Sequence, residues 1–292
     1  MMNYNERVIF YLGSLFDSNI NINDYNDNLT IQTLGTTLNY DIALKNLLIK
    51  TNNQDKSFKY YFGDNESCTD IATLVKNRCS DSNNSIILRC FNFDRHWVNY
   101  YNRPKDIPFN EKRNKLFWRG ATTGQPNRKG NRFDLVTAWF NQPDNIDIAF
   151  SIICQNKTEY SKYIRAICQP EDFLKHKYIV SAEGNDKDSG LNWKLNSNSV
   201  VFMTRPRITS WLMETTLVPN FHYILLKDDF SDIQIKLDWC NNHPEECLQI
   251  IENAHNYMKQ FNNKETEEKI EQDVINKYFE LIRVKKMYTH NY

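Results

Sequence analysis

Short apolar segments alternate with amphipathic segments between residues 115 and 261, and this pattern constrains the fold more than any other feature. Apolar runs of strand length lie at 115–118, 146–150, 177–182, 199–204 and 222–226. Helical patterns lie at 132–140, 231–240 and 243–261. Strands that alternate with helices are typical of a mostly parallel sheet covered by helices. The sequence therefore predicts an α/β protein that binds its ligands at the carboxyl ends of the strands.

Charge balance and cysteine usage exclude several classes of protein. The chain carries 36 basic and 36 acidic residues, whereas a general nucleic-acid-binding protein usually has a basic excess, so we expect no nucleic-acid partner. The seven cysteines form no C-x-x-C pair, and we expect reduced thiols rather than metal ligands. No apolar run has the length of a signal peptide or a membrane span. We expect a cytoplasmic protein, with peripheral association at the inner face of a membrane left open.

The ends of the chain carry fewer signals than its middle. Residues 41–50 show a helical pattern with Leu44, Leu47 and Leu48 on one side, and residues 85–90 read as a strand. Residues 101–109 contain two prolines, which interrupt regular structure, and are the predicted linker. A last long helix is predicted over residues 266–288.

The loop after the strand at 115–118 is the first candidate site. In "FWRGATTGQPNRKGNR" the strand is followed by small and hydroxyl residues, by arginines and then by a helix. Glycines allow close approach of backbone N–H groups to an anion, a helix N-terminus favours negative charge, and arginine binds phosphate oxygens in pairs. The loop therefore indicates a diphosphate site, although it matches neither a Walker loop nor G-x-G-x-x-G. The alternative is a solvated basic turn.

Two further loops follow strand ends. Asp186-Lys187-Asp188 matches the D-x-D pattern with which many glycosyltransferases hold a divalent metal, but this pattern is common by chance. The alternative is that the two aspartates form the turn and cap the next helix. After the strand at 199–204, Arg205 and Arg207 are suited to phosphate, and the alternative is an ordinary surface position.

Four motifs occur together in an order that resembles glycosyltransferase family 90. They are "LFWRGATTG…NR", "KYIVSAEGNDKDSGLNWKLNSNSVVF", "WLMETTLVPNFHYILLKDDFSDIQIKLDWC" and the helix after it, and they cover roughly residues 115 to 262. The form of these motifs looks most like the bacterial lipopolysaccharide-modifying branch of the family. The resemblance implies an inverting enzyme that uses UDP-sugars and needs no metal and no other cofactor.

The resemblance also implies an architecture. It is GT-B-like, an α/β fold in which two Rossmann-like domains face a cleft. Residues 1–108 would form an N-terminal acceptor-side domain, and residues 109–262 a C-terminal domain that binds the nucleotide sugar. Residues 263–292 would form a C-terminal helix that crosses back and packs on the N-terminal domain.

By the same resemblance, residues from several loops would lie near the donor. The predicted donor-binding residues are Arg119, Gly120, Thr122, Thr123, Arg128, Glu183, Gly184, Asn185, Asp186, Asn192 and Arg205. One departure concerns animal members, which have an S-F-R segment where this chain has Ser189-Gly190-Leu191-Asn192. The role of the missing arginine would pass to Arg205, Lys194 or Arg128.

An inverting transfer needs a base that faces the acceptor, and we place it at Asp94. In "SIILRCFNFDRHW" a predicted buried strand leads directly to a carboxylate and a histidine. His96 is the alternative base, because an unperturbed imidazole titrates near pH 6.5. The other alternative is that Asp94 forms a salt bridge with Arg95 or a neighbour.

These observations predict an inverting, metal-independent glycosyltransferase. It would move a sugar, glucose or xylose, from a UDP-sugar to a lipopolysaccharide or another surface glycan. Two alternatives stay open at this point. One is a metal-dependent transferase that uses Asp186 and Asp188, and the other is a catalytically silent glycan- or nucleotide-binding protein on the same fold.

Overall fold

The computed structural model describes residues 2–17, 29–36, 39–64, 71–92, 105–142 and 144–289, with backbone only for 283–289. The chain forms two compact units. Unit 1 comprises Met1–Trp97, Arg207–Glu214 and Gln260–Tyr292, and unit 2 comprises Val98–Pro206 and Thr215–Lys259.

The regular elements of the described residues are numbered in chain order. The α-helices are α1 (Tyr4–Leu12), α2 (Asn39–Lys50), α3 (Arg132–Trp139), α4 (Pro170–Phe173), α5 (Leu191–Leu195), α6 (Ile233–Asn242), α7 (Pro244–Met258) and α8 (Lys264–Thr289). The strands are β1 (Lys59–Tyr61), β2 (Thr73–Val75), β3 (Arg78–Cys79), β4 (Ile86–Ile87), β5 (Arg113–Ala121), β6 (Ile146–Ile152), β7 (His176–Val180), β8 (Val200–Met203), β9 (Ile208–Thr209) and β10 (Ile224–Leu225). Short 3₁₀ helices lie at Gly13–Phe16, Ile31–Thr33, Arg89–Asn92, Phe109–Glu111, Thr158–Tyr163, Glu214–Thr216 and Lys259–Phe261.

Unit 1 contains a small parallel sheet with the strand order β1-β2-β4. Helix α1 begins at a capping box, in which Asn3 and Glu6 satisfy each other's backbone N–H groups. Arg7 of α1 forms a bidentate, buried ion pair with Glu267 of α8, at 2.5 and 2.6 Å. Segment Arg207–Glu214 belongs to this unit, in which β9 pairs with β3 in antiparallel orientation.

Helix α8 is bound to unit 1 by its apolar stripe as well as by charge. Ile270, Val274 and Tyr278 recur at helical spacing, and all three are buried. The Tyr278 hydroxyl donates a hydrogen bond to the carbonyl of Ala72 at 3.1 Å. Among the described residues, no helix combines the length and the apolar character that a membrane span requires.

Unit 2 is built on a parallel sheet with the strand order β10-β8-β7-β5-β6. From β5 the chain moves outward to β6, whereas from β7 it moves in the opposite direction to β8. Neighbouring strands whose connections leave in opposite directions define a topological switch point, and the crevice at their carboxyl ends is the usual ligand site of such sheets. In this sheet the switch point lies between β5 and β7.

One face of this sheet holds the core of unit 2. Leu116 and Trp118 of β5 and Phe150 of β6 pack there with Tyr178, Phe202 and residues of α3, α6 and α7. Because successive residues of a strand point to opposite faces, Phe117 and Arg119 lie on the other face. Phe117 stacks there on the His176 ring at a centroid distance of 4.3 Å.

The predicted α/β class, with a parallel sheet, is confirmed. Strands occur at all five apolar runs between residues 115 and 226. Helices occur at or near each predicted helical segment, at 41–50, 132–140, 231–240, 243–261 and 266–288. The run at 85–90 is strand only at Ile86–Ile87, because the backbone then turns into a 3₁₀ helix at Arg89–Asn92. The strands of unit 1 have two or three residues each, which is too short for an alternating pattern to be visible in the sequence.

Candidate active site

Three loops meet at the carboxyl edge of the unit 2 sheet. They follow β5, β6 and β7, and we call residues 121–131, 153–157 and 181–190 the edge loops. Asn185 joins all three, because its Oδ1 accepts hydrogen bonds from the Gly124 N–H at 2.8 Å and from Gln155 Nε2 at 2.9 Å. Thr122 adds a second connection, since its hydroxyl donates to the carbonyl of Cys154 at 3.0 Å. The edge loops therefore form one interlocked structure at the switch point.

Arg132, the first residue of α3, connects the loop after β5 with the loop after β7. Its Nη1 donates to the Ala121 carbonyl and to the Thr123 hydroxyl, both at 2.9 Å. Its Nη2 donates to the Ala182 carbonyl at 2.9 Å, and its Nε to the Glu183 carbonyl at 3.1 Å. Burial lowers the pKa of this guanidinium, and the nearby acidic side chains oppose that shift.

Two glycines allow the same two loops to approach each other. Gly124 has a φ of +98°, and a Cβ there would lie 2.7 Å from the Gly184 carbonyl oxygen. A Cβ on Gly184 would lie 2.8 Å from both Arg132 Nη2 and Thr123 Oγ1. Any side chain at these positions therefore displaces a neighbour, and at Gly124 it also meets a strained backbone conformation.

At the N-terminus of α3, a side chain occupies the position that the sequence predicted for an anion. Asn131 caps the helix, and its Oδ1 accepts from the N–H groups of Phe133 and Asp134, both at 2.8 Å. The N–H groups that would have pointed at a phosphate are thus already satisfied by a side chain. Any anion at this edge has to be bound by the loops and their cations.

Positive side chains border the edge loops. Arg128 Nη1 donates to the Asn185 carbonyl at 3.3 Å. Lys157 donates to the Gly124 carbonyl and to Gln155 Oε1, and its ammonium lies 4.6 Å from the centre of the Phe133 ring. Arg205 follows β8, and its side chain is exposed. This edge can therefore attract and hold an anionic group.

Asp188 is committed to the protein itself. Its Oδ2 accepts from Lys194 Nζ at 2.5 Å and from the Ser181 hydroxyl at 2.7 Å, and its Oδ1 accepts from the Gly190 N–H at 2.9 Å. Burial opposes ionisation, but the Lys194 ammonium and these hydrogen bonds outweigh it, so the pKa of Asp188 lies below its ordinary value. The carboxylate forms the turn before α5, which matches the structural alternative for the D-x-D pattern.

Asp186, the other aspartate of that pattern, is buried in the same loop. Its carbonyl accepts a hydrogen bond from the Gly184 N–H at 3.0 Å. In the parts of the chain that the structure describes, no three His, Cys, Asp or Glu side chains are grouped so that they could hold a metal ion.

Arg119 does not point toward the edge loops. Its Nη1 donates to the carbonyls of Trp118 and Asp147 at 2.8 and 3.0 Å, and its Nη2 to Asp147 Oδ1 at 2.7 Å. Asp147 pairs with Phe117 in the sheet, whereas Arg119 itself pairs with Ala149, so the guanidinium folds back from the carboxyl edge. A role of Arg119 in donor binding stays a prediction, and the geometry favours a structural role.

The remaining predicted residues fall into two groups. Gly120 lies beneath the Trp118 ring, where a Cβ would come within 2.6 Å of ring carbon, and Asn192 is buried in α5, where its Oδ1 accepts from the Trp193 N–H at 2.5 Å. Asp94 and His96 lie outside the described residues, so the choice of general base stays a prediction.

Sequence reasoning missed two parts of this site. One is the connecting role of Arg132, which depends on one hydroxyl and three carbonyls that are 9 to 51 residues away in the chain. The other is the loop after β6, with Gln155 and Lys157. The strand at 146–150 is predicted, so the rule that ligands bind at carboxyl ends points to this loop as well.

The chain is similar to known glycosyltransferases. The family model for glycosyl transferase family 90 matches residues 85–292. O-glucosyltransferase LpsA of Dichelobacter nodosus is 32% identical over 230 residues, which cover 78% of this chain and 68% of that protein. Protein O-glucosyltransferase 2 of Danio rerio is 31% identical over 142 residues, or 48% of this chain and 27% of that protein.

Among solved structures, a glycosyltransferase from Rickettsia africae ESF-5 aligns with a TM-score of 0.37 and 11% identity, over 72% of this chain and 57% of that one. The family match is the stronger finding, because it spans more than half of the chain and includes all three edge loops and α3. The chain belongs to glycosyltransferase family 90 and is a glycosyltransferase.

Proposed function

We propose that this enzyme is an inverting, metal-independent transferase that moves glucose or xylose from a UDP-sugar to a lipopolysaccharide or another surface glycan. The observation that carries the proposal is the interlocked set of edge loops at the switch point, bordered by Arg128 and Lys157. The names of the two relatives, both O-glucosyltransferases, favour glucose over xylose.

The donor diphosphate would lie against the edge loops. Glycosyl transfer makes UDP the leaving group, so negative charge accumulates on the diphosphate as the bond to the sugar breaks. Arg128, Lys157 and the exposed Arg205 can supply positive charge near this position, and preorganised charge of this kind stabilises a transition state strongly. The proposal includes no cofactor, because the UDP-sugar is a substrate.

Metal independence is supported by the state of Asp188. A D-x-D metal site needs carboxylate oxygens that can coordinate the ion, whereas both oxygens of Asp188 already accept hydrogen bonds from the protein. The cations at the edge would replace the charge that a metal supplies. These hydrogen bonds disfavour the alternative in which Asp186 and Asp188 hold a divalent ion.

Inversion requires a single displacement at the anomeric carbon. The acceptor hydroxyl oxygen attacks this carbon, a base takes the hydroxyl proton, and the bond between the sugar and UDP breaks with its electron pair staying on UDP. We propose Asp94 as the base, with His96 as the alternative. A GT-B arrangement of two Rossmann-like domains belongs to the same proposal, as does a position at the inner face of a membrane, where a lipid-linked glycan would be accessible.

Calorimetric titration of UDP in the presence of EDTA tests the donor class and the metal together. We expect UDP to bind in EDTA, and UDP-glucose to be hydrolysed slowly when no acceptor is added. Loss of UDP binding in EDTA that manganese restores would support the metal-dependent alternative. Binding of UDP-sugars without hydrolysis or transfer to any tested glycan would support the binding-protein alternative.

A further inference from the structure

We infer that one surface of unit 2 binds a bilayer that contains anionic lipids, with its apolar side chains in the headgroup region. We call it the β6 edge surface and define it by Ile152, Lys162, Ile164, Arg165 and Ile167. It lies at and beyond the end of β6, which is the outer strand of its sheet. The use of this binding in glycosyl transfer rests on the proposed function, whereas the binding itself does not.

Three isoleucines give the β6 edge surface its apolar character. The exposed fractions are 45% for Ile152, 36% for Ile164 and 64% for Ile167. Ile164 forms an isolated parallel bridge with Phe150 of β6, so Ile152 and Ile164 belong to the same stretch of the sheet edge. Ile167 follows in a segment without regular structure. Single exposed apolar side chains are ordinary, but a group of them marks a binding surface.

The charge around these isoleucines is positive. Residues 152–169 contain three cationic side chains and one acidic side chain, namely Lys157, Lys162 and Arg165 against Glu159. Lys162 and Arg165 are exposed, whereas Lys157 is turned to the edge loops, where it donates to the Gly124 carbonyl. An anionic leaflet attracts basic residues, and apolar side chains beside them enter the headgroup region. Exposed isoleucines flanked by cations therefore indicate a lipid surface as the partner.

An aromatic base holds the β6 edge surface in place. The Arg165 guanidinium lies 5.0 Å from the centre of the Phe140 ring and pairs with Asp147 at 2.5 Å. The Lys162 ammonium lies 5.0 Å from the centre of the Tyr163 ring, which contacts the Phe140 ring edge-to-face at 5.3 Å. Tyrosine, with an apolar ring and a polar tip, is typical of the membrane interface. Because these contacts already order the segment, binding requires little further ordering.

A second exposed apolar surface of unit 2 has the opposite charge. We call it the α6 apolar surface, and it consists of Ile235 and Trp239 of α6 and Leu248 of α7. The surrounding residues 229–248 contain five acidic side chains and one lysine, namely Asp229, Asp232, Asp238, Glu245 and Glu246 against Lys236. An anionic bilayer would repel this surface. Apolar exposure alone therefore does not select the lipid-binding surface, whereas its combination with positive charge does.

The β6 edge surface begins where one of the edge loops begins. Ile152 is the last residue of β6, and its carbonyl accepts a hydrogen bond from the Thr122 N–H at 3.0 Å. A bilayer bound at Ile152 would therefore lie beside the edge loops at 121–131 and 153–157. An acceptor glycan linked to a lipid is anchored in the same bilayer, so binding would raise its effective concentration at the enzyme.

Vesicle co-sedimentation of the full chain, without sugar nucleotide or acceptor, tests the inference. We expect wild type to bind vesicles of equal parts phosphatidylcholine and phosphatidylglycerol, and to bind less as salt rises, because salt screens the charges. Ile167→Ser should lower the vesicle partition coefficient about 10-fold, since it removes apolar surface from the contact. Lys162→Gln should lower it about 3- to 5-fold on these vesicles and leave weaker binding to pure phosphatidylcholine unchanged.

Matched controls come from the α6 apolar surface and its lysine. Ile235→Ser and Lys236→Gln make the same chemical changes there, and each should alter the partition coefficient by less than about twofold. None of the four substituted side chains is buried, so every thermal midpoint should stay within about 2 °C of that of wild type. A loss of vesicle binding is then a property of the surface and not of folding.

Three outcomes would overturn the inference. They are no binding of wild type to the mixed vesicles at low salt, wild-type binding by both Ile167→Ser and Lys162→Gln, and equal losses in Ile167→Ser and Ile235→Ser. Dimers that Ile167→Ser dissociates, in a protein that binds no vesicles, would assign the surface to a second copy of the chain instead. If wild type binds vesicles but transfers no sugar, the proposed function fails and the surface stands. Transfer to soluble glycans without vesicle binding has the reverse meaning.

Discussion

The side chains of Arg119 and Arg132 are both largely shielded from solvent and pack on residues of β5, yet their hydrogen bonds are satisfied in different ways. Arg119 binds a carboxylate, that of Asp147 on the neighbouring strand, and packs on Phe117. Arg132 binds backbone carbonyls and one hydroxyl, and packs on Trp118 on the opposite face. The first links strands that are already hydrogen-bonded to each other, whereas the second links loops beyond the end of the ladder.

Arg119 is expected to contribute mainly to the stability of unit 2, whereas Arg132 is expected to contribute mainly to the geometry of the edge loops. Removing the Arg119–Asp147 pair leaves the β5–β6 ladder in place, so the expected cost is thermodynamic. Removing the Arg132 fork leaves the loops after β5 and β7 connected through Asn185, which accepts hydrogen bonds from Gly124 and Arg128. The expected cost there is a change in the shape of the site. Four variants test this difference, from the largest expected effect to the smallest.

The largest effect on stability is expected for Asp188→Ala, which breaks the ion pair between the loop after β7 and Lys194 of α5. The variant leaves the Lys194 ammonium buried beneath the sheet edge without its carboxylate, and such a change typically costs about 3–5 kcal/mol. Urea unfolding measures the loss. Asp188→Asn, which keeps a side-chain oxygen for the Gly190 N–H, should lose less; equal stability of wild type and Asp188→Ala would show that the pair is not essential.

Arg119→Met should lower the free energy of unfolding by about 1.5–3 kcal/mol, the range for hydrogen bonds to a charged group. Asp147 would retain Arg165 as a partner, which limits the loss. If the structural reading is right, calorimetry should give a UDP affinity within about twofold of wild type. A folded variant with UDP affinity reduced 10-fold or more would restore Arg119 to the donor site and remove the contrast with Arg132.

Gly124→Ala should cost about 1–2 kcal/mol from backbone strain, because its φ of +98° is unfavourable for alanine. Its Cβ would also meet the Gly184 carbonyl oxygen, so transferase activity should fall further than stability does. Gly63→Ala is the matched control, since Gly63 has a φ of +116° and a Cβ there would meet no atom within 4 Å. Equal losses of activity in the two variants would contradict a special role of the loop contact.

At neutral pH the smallest effect on stability is expected for His176→Phe, whose effect should appear in acid. Burial lowers the pKa of His176, which stacks on Phe117 near Arg119, to about 4. A depressed pKa means that the unfolded chain binds the proton first, so stability is complete above about pH 6.5 and declines as the pH falls toward 4. His176→Phe keeps the stacking and should flatten this decline in chemical unfolding. An unchanged pH profile would show that other groups cause it.

The sequence predicts the frame of the site better than its contacts. The edge loops after β5 and β7 follow from the apolar runs at 115–118 and 177–182, and Gly124, Gly184 and Asn185 are indeed brought together there. The roles of individual charges do not follow. Arg119 comes immediately before the predicted diphosphate loop, but strand alternation and the position of Asp147 turn its side chain away.

Two results needed the tertiary structure because they depend on contacts between distant residues. Segment Arg207–Glu214 follows β8 of unit 2 in the chain, yet it belongs to unit 1, where β9 pairs with β3. Likewise, the carbonyls that Arg132 binds are within reach only because β5 lies between β7 and β6. Strand order is set by packing across the whole sheet and has no local signature in the sequence.

The sequence by itself determined the α/β class, the strands from β5 to β10 in unit 2 and the family, because periodicity and motif order are properties of neighbouring residues. The tertiary structure alone decided which charged side chain holds which part of the site. A polar side chain forms hydrogen bonds with the groups that the fold brings near it. When the side chain is buried, a missing partner would destabilise the fold, so such bonds form almost always. In this chain Arg119 pairs with Asp147 on one face of the sheet, Asp188 pairs with Lys194, and Arg132 donates hydrogen bonds to the edge loops.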